Sequence, residues 1–418
     1  MGNRPRRGTR RPRVRPLLVA AGLAALVVGC SAPPPLYTPA PRLFTAGPEP
    51  DYGAYLRATR AHLERHAVAV GDFPRERQID WRMPFEREPG PGCDGRPQVG
   101  LLLIHGLADT PFVFRDLADR LAAHCVRVRA VLLPGHGTRP GDLVAAESGQ
   151  WLAFARAHAR ALAGQVDRFY VGGHSMGGAI ATILALEAPG RTDGLVALAP
   201  SWELDGLRNA IRLAPLAAPF IDFLEHEPEI NPVKYESLAV NAGDEIGEIR
   251  ARVQAAIERG GAAAGMPLLL AATAADSVID VPYLGRTFAQ RFGHRRSRML
   301  VYRDPRAPLP PWWQRQRMLA RPSYLPGRRI AELSHQSLPV AAANPLYGPG
   351  RPLQHCLEPN GLARRACLAR DPGSIWYAAY RGEGERSAGR VTARLTWNPH
   401  FDDLAARVAE LMRVRDAP

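Results

Sequence analysis

The feature that most constrains the fold is a rhythm. Apolar, β-branched runs occur at "VGLLLIH" (99 to 105), "CVRVRAVLL" (125 to 133), "RFYVGG" (168 to 173), "GLVALA" (194 to 199) and "PLLLAAT" (267 to 273). Helical patterns fall between them, as in "FRDLADRLAAH" (114 to 124) and "WLAFARAHARALAG" (151 to 164). Continuous apolar strands alternating with helices imply a mostly parallel sheet with helices on both faces, the α/β class. Ligands then belong at the carboxyl ends of the strands. Upstream, "QIDWRMPFE" (78 to 86) alternates as a further strand would.

The third run leads into "VGGHSMGGAI", residues 171 to 180, where Gly173 to Gly177 fits G-x-S-x-G. A strand feeds a sharp turn that bares the Ser175 hydroxyl, and an apolar helical stretch follows, which is the context a nucleophile elbow requires. A dinucleotide fingerprint would need glycine at 174 or 175, and no G-x-x-x-x-G-K occurs. The catalytic reading therefore needs a base and an acid further along the chain, in the order Ser, acid, His. His335, in "RRIAELSHQSL", ends a short apolar run and is the candidate base. The candidate acids are Asp276, Asp280 and Asp304.

These motifs resemble the α/β-hydrolase superfamily and, within it, the monoacylglycerol lipase and lysophospholipase type of serine hydrolase. The resemblance spans roughly residues 78 to 413. "LLLIHGLADTPFVFRDLADRL" looks like the family's His-Gly oxyanion segment and first helix, "LLPGHGTRPGDL" like its Pro-Gly-His-Gly loop, and "GGHSMGG" like its elbow. It implies that the backbone N–H groups of Leu107 and Met176 hold the oxyanion. It aligns Asp276, in "AATAADSVIDVP", with the catalytic acid and makes Asp280 a helix cap, while Asp304 stays a third possibility. His105, His136 and His174 read as structural members of their turns.

The chain divides on this reading into a signal peptide (1-29), a Pro-rich tether (30-50), a first core part (51-199) and a cap or lid insertion (200-265). A second core part (266-343), a disulfide-bearing insertion (344-396) and a final core helix (397-418) follow. Trp202, Leu216, Phe220 and Phe223 are the expected pocket wall, suited to an apolar acyl chain. The expected function is a serine carboxylic-ester hydrolase acting through an acyl-enzyme on an acyl-ester or lipid substrate, a monoacylglycerol or lysophospholipid. One alternative is a serine aminopeptidase, with Glu225, Glu227 or Glu229 holding the substrate amine. Another is a non-catalytic envelope lipoprotein on the same fold.

Charge placement narrows the partners. The formal charge is +14, but seven arginines and no acid lie in the first fifteen residues, and the rest are scattered. No nucleic-acid signature accompanies them, so no nucleic-acid partner is expected. "LLVAAGLAALVVG" (17 to 29) falls short of the ~20 apolar residues that span a bilayer and reads as the core of an export signal. "VVGC" resembles a lipoprotein box, which makes Cys30 the lipid attachment point and implies an exported protein of the cell envelope or periplasm, lipid-anchored to the outer membrane, in a leaflet the sequence leaves open. Export favours disulfides among Cys93, Cys125, Cys356 and Cys367; three pairings are open, and proximity in sequence favours Cys356 with Cys367 and Cys93 with Cys125. His62 and His66 stand one helical turn apart, yet no third ligand accompanies them, so no metal and no cofactor are expected. Nothing in the sequence sets the oligomeric state.

Overall fold

The computed structural model describes residues 35–41, 51–90, 92–93, 98–188, 190–205, 214–223, 226–260, 265–353, 355–356, 372–379 and 390–412. The expectations for the signal segment, Cys30, Glu225 and Cys367 lie outside them.

The first three strands of the main sheet are β1 (Phe85–Arg87), β2 (Val99–Ile104) and β3 (Val126–Val131). They are followed by β4 (Arg168–His174), β5 (Gly194–Leu198), β6 (Leu268–Thr273), β7 (Arg298–Arg303) and β8 (Met318–Pro322). Their spatial order is β1-β3-β2-β4-β5-β6-β7-β8. Every pairing is parallel except that of the edge strand β1 with β3. All residues of β2, β5 and β6 are buried, which is why these strands read as unbroken apolar runs.

The order doubles back at β2, so β2 and β4 sit side by side at the sheet's centre with Ile104 opposite Gly173. The loops leaving the carboxyl ends of these two strands meet there, which is the crevice where such sheets bind ligands. The helix that follows β4, spanning Met176–Glu187 and called α5 for its place in chain order, buries every residue from Met176 to Leu186. A helix apolar all round must be covered on its outer side as well.

That cover comes from Val240–Arg259, whose Val240, Ile246, Ile249, Val253 and Ile257 form its buried stripe. This helix packs on α5 and so belongs to the core layers, although it falls within the expected cap of 200-265.

Two further readings change. Residues 75–82 form a helix, Arg75–Arg82, and only Phe85–Arg87 is strand. The side chains of Gln78, Ile79 and Arg82 share the buried helix face, and the Arg82 guanidinium is the reason. It donates to the carbonyls of Val68 (3.0 Å), Gly137 (3.2 Å) and Pro232, and to Gln78 Oε1 (2.9 Å), tying three loops together. The excursion after residue 344 is likewise no detached appendage. It carries a three-stranded sheet of His355–Cys356, Trp376–Ala378 and Thr392–Arg394, and Ser334 Oγ donates to the Leu395 carbonyl.

The Pro-rich segment also touches the body. Gly141 N–H donates to the Leu36 carbonyl at 2.9 Å, and the Tyr37 ring stacks on His226 at 4.0 Å. The sulfurs of Cys93 and Cys125 lie at bonding distance, 2.09 Å. Among the described residues, no helix is long and apolar enough to cross a membrane.

Candidate active site

Strand β4 ends at His174 and α5 begins at Met176, leaving Ser175 alone in the turn at φ 55°, ψ −120°. A non-glycine residue rarely accepts a positive φ, and here the surroundings impose it. Ser175 N–H donates to the Leu198 carbonyl (2.9 Å), and its own carbonyl accepts from Ala179 (3.1 Å) and Ser201 (3.0 Å). The flanking glycines are required by close approach. A Cβ on Gly177 would stand 1.9 Å from the Ile104 carbonyl oxygen, and one on Gly173 would stand 2.3 Å from the Gly177 carbonyl carbon.

Beside the serine lies the loop that leaves β2. A Cβ on Gly106 would come within 3.2 Å of the Ser175 Cβ, so the backbone of this loop runs directly against the nucleophile candidate. Leu107 lines the same cavity as Ser175. Met176 is the first residue of its helix, where an N–H has no acceptor in its own helix and the helix dipole favours negative charge.

His105 fixes this loop without facing the cavity. Its Nδ1–H donates to the Gly106 carbonyl (2.8 Å) while Nε2 accepts from Leu133 N–H (3.1 Å), an arrangement only the neutral ring allows. Burial holds its pKa well below the usual value and brings that of His136 down to about 4.

The three acids separate cleanly. Asp276 follows β6, its side chain fully buried; Oδ1 accepts from the N–H groups of Val278 (2.9 Å) and Ile279 (3.0 Å), and Oδ2 from His335 Nδ1–H at 2.7 Å. Asp280 caps Val281–Arg291 by accepting from Tyr283 N–H at 2.7 Å. Asp304 accepts from Arg306 N–H at 2.9 Å in the turn after β7.

The imidazole of His335 is therefore held at one nitrogen. Its other nitrogen, Nε2, is buried and has no hydrogen-bond partner among the described residues. The neighbouring His174 supports it from behind: His174 Nε2–H donates to the His335 carbonyl at 3.0 Å, with the rings 4.8 Å apart. Burial and the nearby His335 keep His174 far below its ordinary pKa, so it stays a neutral strut. Other histidines are engaged elsewhere, His294 with Arg296 N–H and His400 with the Pro322 carbonyl.

Ser175 and His335 open into one cavity, and its wall differs from the expected one. Trp202 is fully buried, stacked on Phe292 and donating to Thr182 Oγ1 at 2.9 Å. Leu216 and Phe220 are 73% and 85% exposed, and Phe223 meets the Tyr37 ring. None of the four lines the cavity: Trp202 lies in the core, Phe223 packs against the core's edge, and Leu216 and Phe220 face outward. The apolar wall is formed instead by Leu107, Leu204, Leu238, Ile246 and Val278.

Sequence reasoning also missed the charged groups there, Asp109, Lys234, Glu236 and Arg394. Asp109 carried a usable signal, standing two residues beyond Leu107 in the His-Gly segment. Burial, offset by the Lys234 ammonium, pushes its carboxyl up to about 6. No cluster of three or more His, Cys, Asp or Glu side chains suited to a metal occurs among the described residues.

Fold and sequence place the molecule among the α/β-hydrolases, as a serine hydrolase of the ester-cleaving class. The chain belongs to the Hydrolase_4 family, described as serine aminopeptidase, S33, whose model matches residues 95–305. A thermostable monoacylglycerol lipase from Bacillus sp. (strain H-257) is 25% identical over 179 residues, covering 42% of this chain and 68% of that one. Among solved structures, a metagenome-derived lipolytic enzyme reported with LipS and LipT aligns at 23% identity and TM-score 0.44, over 53% of this chain and 86% of its own. A monoglyceride lipase from Saccharomyces cerevisiae aligns at 14% identity and TM-score 0.44, over 53% and 82%.

Proposed function

We propose that the protein hydrolyses acyl esters, monoacylglycerol-like lipids among them, through a Ser175–His335–Asp276 triad. The observation that carries this reading is the His335 ring, bound to a fully buried Asp276 at Nδ1 and bare at Nε2, in the cavity that Ser175 also lines. His335 Nε2 takes the Ser175 proton as the hydroxyl oxygen attacks the ester carbonyl. The Leu107 and Met176 N–H groups hold the oxyanion, each donor contributing about 3 to 4 kcal/mol to the transition state. Asp276 keeps the proton of His335 on Nδ1 and stabilises the imidazolium. His335 then hands its proton to the departing alcohol, and water, activated by the same nitrogen, releases the acid from the acyl-enzyme. Labelling by a fluorophosphonate probe tests the assignment: wild type reacts and Ser175→Ala does not, whereas equal labelling of both overturns it.

The aminopeptidase reading draws on the family's description and on Asp109 and Glu236 in the cavity. The acids expected from the sequence support it less, since Glu229 accepts from the N–H groups of Glu236 (2.9 Å) and Ser237 (2.7 Å) and Glu227 is exposed. Aminoacyl amides assayed beside octanoyl esters separate the two.

The arginine-rich start, the apolar run and Cys30 support export to the cell envelope and lipid attachment at Cys30, to the outer membrane. The exposed Leu216, Phe220 and Ile221 would suit a lipid surface. The Cys93–Cys125 pair fits an oxidising compartment. Incorporation of an alkynyl fatty acid into wild type, lost in Cys30→Ser, is the expected result, and equal incorporation overturns the anchor.

A further inference from the structure

Lys234 is the only lysine among 54 basic residues. In a chain that otherwise uses arginine throughout, the exception falls on the wall of the cavity shared by Ser175 and His335. Arginine and lysine are not equivalent there: the ammonium is a compact point charge on a flexible stem, whereas a guanidinium is a broad planar fork. The Lys234 charge lowers the pKa of both Asp109 and His174, and Lys234 lines the cavity together with those two residues and the serine.

A second cation reaches the same cavity from a distant part of the chain. Arg394 ends the last strand of the small sheet, beyond the stretch matched by the family. It is buried, and its Nη1 donates to Gln336 Oε1 at 3.1 Å, next to His335. The excursion after residue 344 thus delivers a positive charge to the active-site cavity. The cavity's acids are Asp109, which accepts from Thr110 N–H at 2.8 Å, and Glu236. Because burial favours the neutral form of Asp109, the balance turns positive as pH falls toward 6. Leu204, Ile246 and Val278 line the same cavity, so apolar surface for an acyl chain and charge for a head group are both present in it.

We propose that Lys234 and Arg394 form an anion subsite, so that the preferred substrate is an acyl ester whose alcohol portion carries a phosphate or a carboxylate. This rests on the ester-hydrolase reading and specifies its substrate. Charge-assisted contacts to an anion are short and strong, and in a partly dry cavity they discriminate between esters that share an acyl chain.

The test uses the full chain and four octanoyl esters: 1-octanoylglycerol, its 3-phosphate, the octanoyl ester of glycolate, and octanoylcholine. In wild type, kcat/KM for at least one anionic ester exceeds that for octanoylglycerol 10-fold or more, mainly through KM, and octanoylcholine is the poorest. Which of the phosphate and the carboxylate leads identifies the anion. The ratio of anionic to neutral kcat/KM falls at least 10-fold in Lys234→Met and in Arg394→Gln, and Lys234→Arg recovers part of it. If a variant does not fold, the wild-type ratio still decides, since it must shrink between 50 and 500 mM NaCl. Equal use of neutral and anionic esters, or a preference for octanoylcholine, overturns the subsite. Hydrolysis of none of the four overturns the ester-hydrolase reading beneath it.

Discussion

Two regions meet at the cavity and are built on different terms. The elbow, from β4 through Ser175 into α5, is held by backbone contacts so close that a single added carbon would stand 1.9 Å from a neighbouring oxygen. The segment from 201 to 239 and the excursion that ends at Arg394 are held by individual side chains such as Arg82, Trp202 and Ser334. The first region positions the chemistry, and sterics leave it little choice of residue. The second decides the guest, and here a residue's neighbours determine its role more than its type does. Reaction type is thus the robust property of this molecule and substrate preference the adjustable one.

The comparison breaks most visibly at the acid. Asp276→Asn should lower kcat for an octanoyl ester by about 10⁴-fold while leaving the fold intact, as expected when the imidazole loses its carboxylate partner. The same exchange at Asp280 or Asp304 should change kcat by no more than a few-fold. A kcat in Asp276→Asn within 10-fold of wild type would move the acid elsewhere.

Next comes Trp202. Trp202→Ala should cost about 3 to 5 kcal/mol in thermal or denaturant unfolding, because the ring is fully buried against Phe292. Selectivity among acyl chain lengths should stay the same in the folded fraction. A shifted chain-length profile with unchanged stability would return Trp202 to the pocket wall.

Asp109 gives an intermediate effect with a defined pH window. Its carboxyl is raised from 3.8 to about 6 in the folded chain, so between those values the native state keeps a proton that the unfolded state has lost. Stability attributable to this group therefore falls as pH rises through 4 to 6 and levels off above, a change of up to about 3 kcal/mol. Asp109→Asn should raise the melting temperature at pH 8 relative to wild type and leave it nearly equal at pH 4. A gain confined to pH 4 would reverse the assignment.

The smallest effect belongs to Phe220. Its ring is 85% exposed, so Phe220→Ser should change stability by no more than about 0.5 kcal/mol. If the outward apolar stretch meets lipid, the same variant should lower activity on aggregated octanoylglycerol but not on dilute soluble ester. Equal activity on both would confine that stretch to packing.

Much of this was legible in the residues. Alternating strand and helix periods announced the parallel sheet, and the order of Ser175, an aspartate and His335 along the chain named the kinds of group that the fold brings together. Two errors are informative. "QIDWRMPFE" alternates like a strand, yet residues 75–82 are helical because Arg82 binds three loops from a helix face, a contact set that no local period records. Trp202 and Phe220 share the composition of a pocket wall but lie on opposite sides of it, one in the core and one in solvent.

By itself the sequence determined the backbone periods, the strained turn at Ser175 and the chemical kind of its partners, because these depend on residues close in the chain or on steric rules that allow few alternatives. Only the tertiary structure decided which of three aspartates meets His335 and which side chains enclose the guest. It also brought the lone lysine and an arginine from the far end of the chain to one cavity. Those outcomes depend on packing between segments 59 residues apart or more, where energy comes from mutual fit and no single residue carries the instruction.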